Sequence, residues 1–121
     1  MFSIVRHKQP QPGKSRTVRF DGRDHGSQVS MFIVDNEPGQ GPGLHVHPYT
    51  ETWVVQKGEA EFTVGDATTR AFTGDIIVAG ANVPHKFVNV GAGRLEMVCI
   101  HANDAIVQEF LPEPEKQFAH A

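Results

Sequence analysis

Gly39-Gln40-Gly41-Pro42-Gly43-Leu44-His45-Val46-His47-Pro48-Tyr49-Thr50-Glu51-Thr52-Trp53-Val54-Val55-Gln56-Lys57-Gly58 is the stretch from which the fold can be read. Its first five residues, with Asn36-Glu37-Pro38 before them, are too rich in Gly and Pro for anything but a loop. Residues 44–47 then read as a short strand broken by Pro48, and residues 51–56 as the next, ended by a turn at Lys57-Gly58-Glu59. Residues i and i+2 of a strand project from one face, so His45 and His47 can reach a common point. Pro48-Tyr49-Thr50 turns the chain, and Glu51 can approach both imidazoles from the neighbouring strand. Two imidazoles and a carboxylate suit a divalent transition metal and leave positions open. A fourth ligand is available at His85, which follows Pro84 and heads another strand.

The β pattern continues on both sides. Residues 17–20 and 28–35 alternate, with Val29, Met31 and Ile33 on one face and a turn from Gly22 to Gly26 between. Residues 61–64 and 68–72 form a hairpin about Gly65-Asp66, and strands follow at 76–79, 85–90 and 94–101. Near the end, Asn103 or Asp104 can cap a short helix carrying Ile106, Val107, Phe110 and Leu111, stopped by Pro112. Short strands at regular spacing predict an all-β jelly-roll barrel with a short C-terminal helix. The expected organisation is an N-terminal arm or edge strand over residues 1–16, one barrel over 17–112 and a tail over 113–121, in which Phe118 could dock on a neighbour.

Composition narrows the function. The chain has 121 residues, 39% hydrophobic and 21% charged, which suits one globular domain and excludes a disordered chain. A net charge of -3 without a Lys/Arg stripe gives no support to nucleic-acid or anionic-membrane binding. Apolar runs such as Met31-Phe32-Ile33-Val34 are strand-sized, far short of the roughly 20 residues that span a bilayer. Cys99 is the single cysteine and cannot form an internal disulfide; with no basic, apolar leader at the N-terminus, a cytoplasmic location is expected. Cys99 itself reads as a small core residue. Twelve Gly and eight Pro favour turns over long helices. No nucleophile stands in a recognisable elbow, and no Lys-Ser/Thr pair follows the Gly-rich loop.

The longer pattern resembles a known family. Gly39-x5-His45-x-His47-x3-Glu51-x6-Gly58 matches the first motif of the cupin superfamily, of the small single-domain "cupin 2" type. Gly74-x5-Gly80-x-Asn82-x2-His85-x3-Asn89 is similar to the second, with Gly80 where Pro is common and Asn82 where Gly is common. Both replacements tolerate the positive φ of a tight turn. The resemblance implies a cupin jelly-roll β-barrel (double-stranded β-helix) with a metal inside, held by His45, His47, Glu51 and His85. The equivalent of Glu51 swings away in some members to act as a base, so Glu51 is also the candidate catalytic residue. By strand parity Trp53, Phe87 and Asn89 face the interior, where they line a substrate pocket or simply build the core; Tyr49, in the turn between ligands, gates the mouth or sits in solvent. His7, His25, His101 and His120 match no ligand position and read as solvated or structural.

The implied cofactor is one divalent transition metal ion per chain: Fe, Mn, Ni, Zn or Cu. The expected activity is that of a metal-dependent dioxygenase-type oxidoreductase acting on a small organic substrate. The alternatives are a non-catalytic small-molecule-binding or regulatory cupin, and a metal-dependent isomerase in which Glu51 shuttles a proton. A homodimer is the expected assembly, with residues 2–5 extending a sheet.

Overall fold

The structure, a computed structural model, describes residues 2–113. Its strands are β1 (Val18–Phe20), β2 (Ser30–Asn36), β3 (His45–Val46), β4 (Glu51–Lys57), β5 (Glu59–Val64), β6 (Ala67–Phe72), β7 (Ile76–Ala79), β8 (His85–Asn89), β9 (Leu95–His101) and β10 (Glu109–Phe110). They pair antiparallel in two five-stranded sheets, ordered β1-β2-β9-β4-β7 and β10-β3-β8-β5-β6. From β2 onward the chain passes from one sheet to the other at nearly every connection, keeping the β5–β6 hairpin within one. That is the expected jelly-roll.

Alternation decides which side chains enter. β4 buries Glu51, Trp53 and Val55; β8 buries His85, Phe87 and Asn89; β9 buries Leu95, Met97, Cys99 and His101. Trp53 and Phe62 meet edge to face at 5.1 Å between the sheets, and Ala60, Ala71 and Ala79 leave them room. One end of the interior is thus packed with apolar groups, while the other carries buried His45, His47, Glu51, His85 and His101.

Loops set the polar end. Gly39 N–H donates to Asn89 O and Asn89 N–H to Gln40 O, both at 2.9 Å, tying the loop before β3 to the end of β8. A Cβ on Gly41 would lie 1.9 Å from Phe87 O, so only glycine allows this approach. Asn82 takes φ 63°, and its N–H donates to His47 O at 2.8 Å. The departure from the usual second motif therefore keeps its turn and links the loop before His85 to His47.

One expectation, the C-terminal helix, is corrected. Residues 103–108 form bends and extended chain rather than a helix, followed by β10 beside β3. Their backbone groups are claimed elsewhere: Ile106 N–H donates to Asp21 Oδ1 at 2.8 Å, Val107 N–H to the Tyr49 hydroxyl at 3.0 Å, and Asn103 Nδ2 to Ala105 O at 2.8 Å. The first-turn N–H groups of a helix need no partner within it, so what excludes the helix is further on: Glu109 and Phe110 pair with β3, and Leu111 N–H donates to Leu44 O at 2.9 Å. Residues 2–10, within the expected N-terminal arm or edge strand, form no strand in the single chain and lie exposed. Phe118 and most of the expected tail lie outside the described residues.

Candidate metal centre

The polar end is built from two cross-strand pairs. His45 on β3 faces His85 on β8 in one sheet; Glu51 on β4 faces His101 on β9 in the other. His47, just beyond β3, completes the cluster, with its ring centroid 4.9 Å from those of His45 and His85 and 4.5 Å from that of His101. One nitrogen from each of His45, His47 and His85 and one oxygen of Glu51 lie within 4.8 Å of one another, all four residues being buried. These residues could hold a metal ion.

Hydrogen bonds orient the imidazoles. His45 Nδ1 lies 2.7 Å from Gly43 O, His47 Nδ1 2.8 Å from Val107 O and His85 Nδ1 2.9 Å from Val83 O. A carbonyl only accepts, so each Nδ1 carries the proton and each neutral ring turns an Nε2 lone pair inward. Yet His47 Nε2 and His85 Nε2 lie 2.8 and 3.1 Å from Glu51 Oε1. Lone pairs do not bond to a carboxylate; the arrangement calls for a cation among them, either protons on the rings or a metal. Metal–nitrogen and metal–oxygen bonds of about 2.1 Å would draw the donors from within 4.8 Å to within about 4.2 Å, a contraction of about 0.6 Å. The donor set fits an imidazole- and carboxylate-binding divalent ion.

His101 differs in kind. The Tyr49 hydroxyl accepts from Val107 N–H and lies 2.6 Å from His101 Nδ1, against 3.2 Å from Val107 O. Given to the nearer acceptor, the phenol proton makes His101 Nδ1 an acceptor and leaves the ring's own proton on Nε2. That Nε2 sits 3.2 Å from Glu51 Oε2, close enough for an ion-pair contact but poorly aligned for a hydrogen bond. His47 and His85 therefore offer lone pairs on the Oε1 side of Glu51, His45 adds a third within the cluster, and His101 offers an N–H on the Oε2 side.

Charge follows the same pattern. Burial opposes ionisation of Glu51, but the facing His101, His47 and His85 outweigh it and hold its carboxyl far below the usual range. Burial pushes His45 down, with its neighbours His85 and His47 adding to the effect and the Gly43 carbonyl opposing it. Burial pushes the Tyr49 phenol up, which keeps the proton it shares with His101. The Cys99 thiol is also pushed well up by burial, and next by the charge of Glu51. Cys99 is thus an inert wall.

A cavity of about 270 Å³ opens beside the cluster, lined by His45, Glu51 and His101, with Phe32, Phe87 and Cys99 among its apolar walls. Of the expected pocket residues, Phe87 alone is part of this lining. Trp53 packs behind the site, its ring edge to face with His85 at 5.0 Å. Asn89 closes the loop below β8, donating to Asn36 O and Gly93 O and accepting from Gly91 N–H. Tyr49 stacks on His47 at 5.1 Å and braces His101.

Residues 32–101, more than half of the chain, match the cupin-domain family model. The chain belongs to the cupin family. Among curated proteins this cupin is similar to mannose-1-phosphate guanylyltransferase 2 of Escherichia coli O157:H7, 23% identical over 103 residues, covering 84% of this chain and 21% of that one. Among solved structures it resembles a recombinant oxalate oxidase in complex with glycolate, with TM-score 0.70, 25% identity, and 83% of this chain on 56% of that one. It also resembles a Bacillus subtilis oxalate decarboxylase studied for its Mn(II) centres, with TM-score 0.74, 22% identity, and 86% on 30%. The cupin thus spans about a fifth of the curated relative and from under a third to just over half of these solved chains. No helix among the described residues is long and apolar enough to cross a membrane.

Proposed function

We propose that this cupin is a metal-dependent oxidoreductase of the dioxygenase type, acting on a small organic molecule. One observation supports it most: inward lone pairs of His45, His47 and His85 and an oxygen of Glu51 converge at the wall of a cavity large enough for a small ligand. A bound divalent ion would supply Lewis acidity and, if redox-active, one-electron chemistry. The residues do the rest. The carbonyls of Gly43, Val107 and Val83 hold the three rings in their ligating tautomer. Phe32, Phe87 and Cys99 keep the cavity dry on one side, so its polar groups act in a low dielectric.

Glu51 is contacted at both oxygens, by His47 and His85 at Oε1 and by His101 at Oε2. That grip favours a fixed ligand over a swinging base, which weighs against an isomerase with Glu51 as proton shuttle. The Mn(II) centres of the Bacillus subtilis relative make manganese the first ion to test, with iron next. A cytoplasmic location and a homodimer belong to the same proposal. The test is metal analysis of the purified protein, then oxygen uptake with a panel of small phenolic and diketone compounds. Redox-active metal with uptake is expected; bound metal with no uptake on any compound would transfer the reading to a ligand-binding cupin.

A further inference from the structure

Accepting the metal reading above, we propose that the cavity takes a neutral or singly charged oxygen-donor ligand with a small apolar body, and excludes dianions. The argument begins with charge. A divalent ion beside the Glu51 carboxylate leaves one net positive charge, since His45 is neutral when it ligates and His101, with Nδ1 accepting from the Tyr49 hydroxyl, carries a single ring proton. A monoanion cancels that charge. A dianion instead leaves a negative charge buried in the cavity, which needs a cationic partner. Among the described residues the lining carries no Lys or Arg. Arg19 is near, its guanidinium 6.0 Å from the Phe32 ring centroid, but Asp21 holds it at 2.8 Å. Lys86 sits between inward His85 and Phe87 on β8, and its Nζ contacts Glu113.

Two amides of the lining, Gln40 and Asn36, have their oxygens engaged. Gln40 Oε1 accepts from Glu37 N–H at 2.8 Å, and Asn36 Oδ1 accepts from the Thr17 hydroxyl at 3.3 Å. Each amide has its oxygen engaged, leaving an NH2 group beside the cavity, suited to a ligand oxygen without adding charge. Opposite them, Phe32, Val34, Phe87 and Cys99 form apolar walls. The volume, about 270 Å³, is near the lower bound for small-molecule pockets of about 300 Å³, so the apolar body is short.

Acetylacetone and malonate test this directly, because both offer two oxygens at the same spacing while bound malonate carries one more negative charge. The full-length protein is loaded with Co(II), whose visible absorption reports both ion binding and ligand entry, and each compound is titrated at one fixed pH. The same titrations on aqueous Co(II) give the intrinsic preference. Relative to water, the protein is expected to shift the preference towards acetylacetone by about tenfold or more. The variant Gln108→Lys, which places a cation in the lining, is expected to recover malonate binding by about tenfold. Malonate binding to the wild type with its aqueous advantage intact overturns the proposal, as does a Gln108→Lys variant that binds Co(II) without gaining malonate. Failure of Co(II) to bind at all is a different result: the metal reading falls, and this inference with it.

Discussion

Replacing Tyr49 with Phe removes one oxygen and keeps the ring stacked on His47. That oxygen accepts from Val107 N–H at 3.0 Å and lies 2.6 Å from His101 Nδ1. Val107 is exposed, so water can serve its amide; His101 is only 1% exposed, so its Nδ1 is left without a donor. A buried polar group deprived of its partner costs about 1–3 kcal/mol. Neither tautomer of His101 then has a bond at Nδ1, so only the poorly aligned 3.2 Å contact with Glu51 Oε2 keeps the proton on Nε2. Removing a partner that orients a metal ligand lowers affinity by about 10- to 100-fold, or about 1.4–2.7 kcal/mol. Two measurements separate these effects. Melting of the metal-free variant should drop by several degrees, since about 1 kcal/mol shifts a domain of this size by roughly 3–6 °C. Competition with a chromophoric chelator should show the loss in affinity. A lower melting temperature with wild-type metal affinity would refute the reasoning: Tyr49 would then be a strut, and the tautomer of His101 of no consequence to Glu51. Coupling gives a further check, because Tyr49→Phe and His101→Gln act on one chain of bonds, and the double variant should lose less affinity than the two single losses added together.

Other expectations follow from the same structure. His47→Ala should lower metal affinity by orders of magnitude while the barrel stays folded; wild-type occupancy by elemental analysis would remove His47 from the ligand set. Protons compete with the metal for its ligands, and burial already holds His45 below its unfolded value of about 6.5, so the stability His45 confers is complete above that value and lost as pH falls through its depressed one. Glu51, also depressed, adds a loss only in more acidic solution. A chelator should therefore lower the melting temperature at about pH 8 far more than at about pH 5, and equal shifts would contradict the three-histidine site. Gly41→Ala drives a methyl group onto Phe87 O and should destabilise by about 1–3 kcal/mol or more, read by thermal melting. The homodimer should be seen in sedimentation at high micromolar concentration, with exposed Ile76 and Val78 on edge strand β7 as one surface to cover; a monomer there would contradict it.

What could be read from the sequence depended on the range of the signal. The strands came from local alternation and the pair His45 and His47 from its spacing, because a β-strand brings i and i+2 to one face whatever the rest of the chain does; Glu51 and His85 came in with the resemblance to the two cupin motifs. The C-terminal helix failed for the opposite reason. Ile106, Val107, Phe110 and Leu111 do have helical spacing, but Glu109 and Phe110 pair with β3, distant in sequence, and Leu111 N–H donates to Leu44 O. Local propensity is a weak prior against such bonds.

His101 lies between these cases. Its strand was legible, and in it Leu95, Met97, Cys99 and His101 share the buried face while Glu96, Val98 and Ile100 are half-buried on the other. Its function was not, because that depends on Glu51 being its partner across β4 and β9, a register that nothing within either strand states. Tyr49 shows the same limit: a residue in a turn between two ligands looks like a gate until the chain returns with Val107 and His101 to claim its hydroxyl. Groups that touch a metal must have particular chemistry and so leave motifs. Groups that set the proton on a neighbouring ring need only be in the right place, and a β-sandwich supplies that place through long-range pairing.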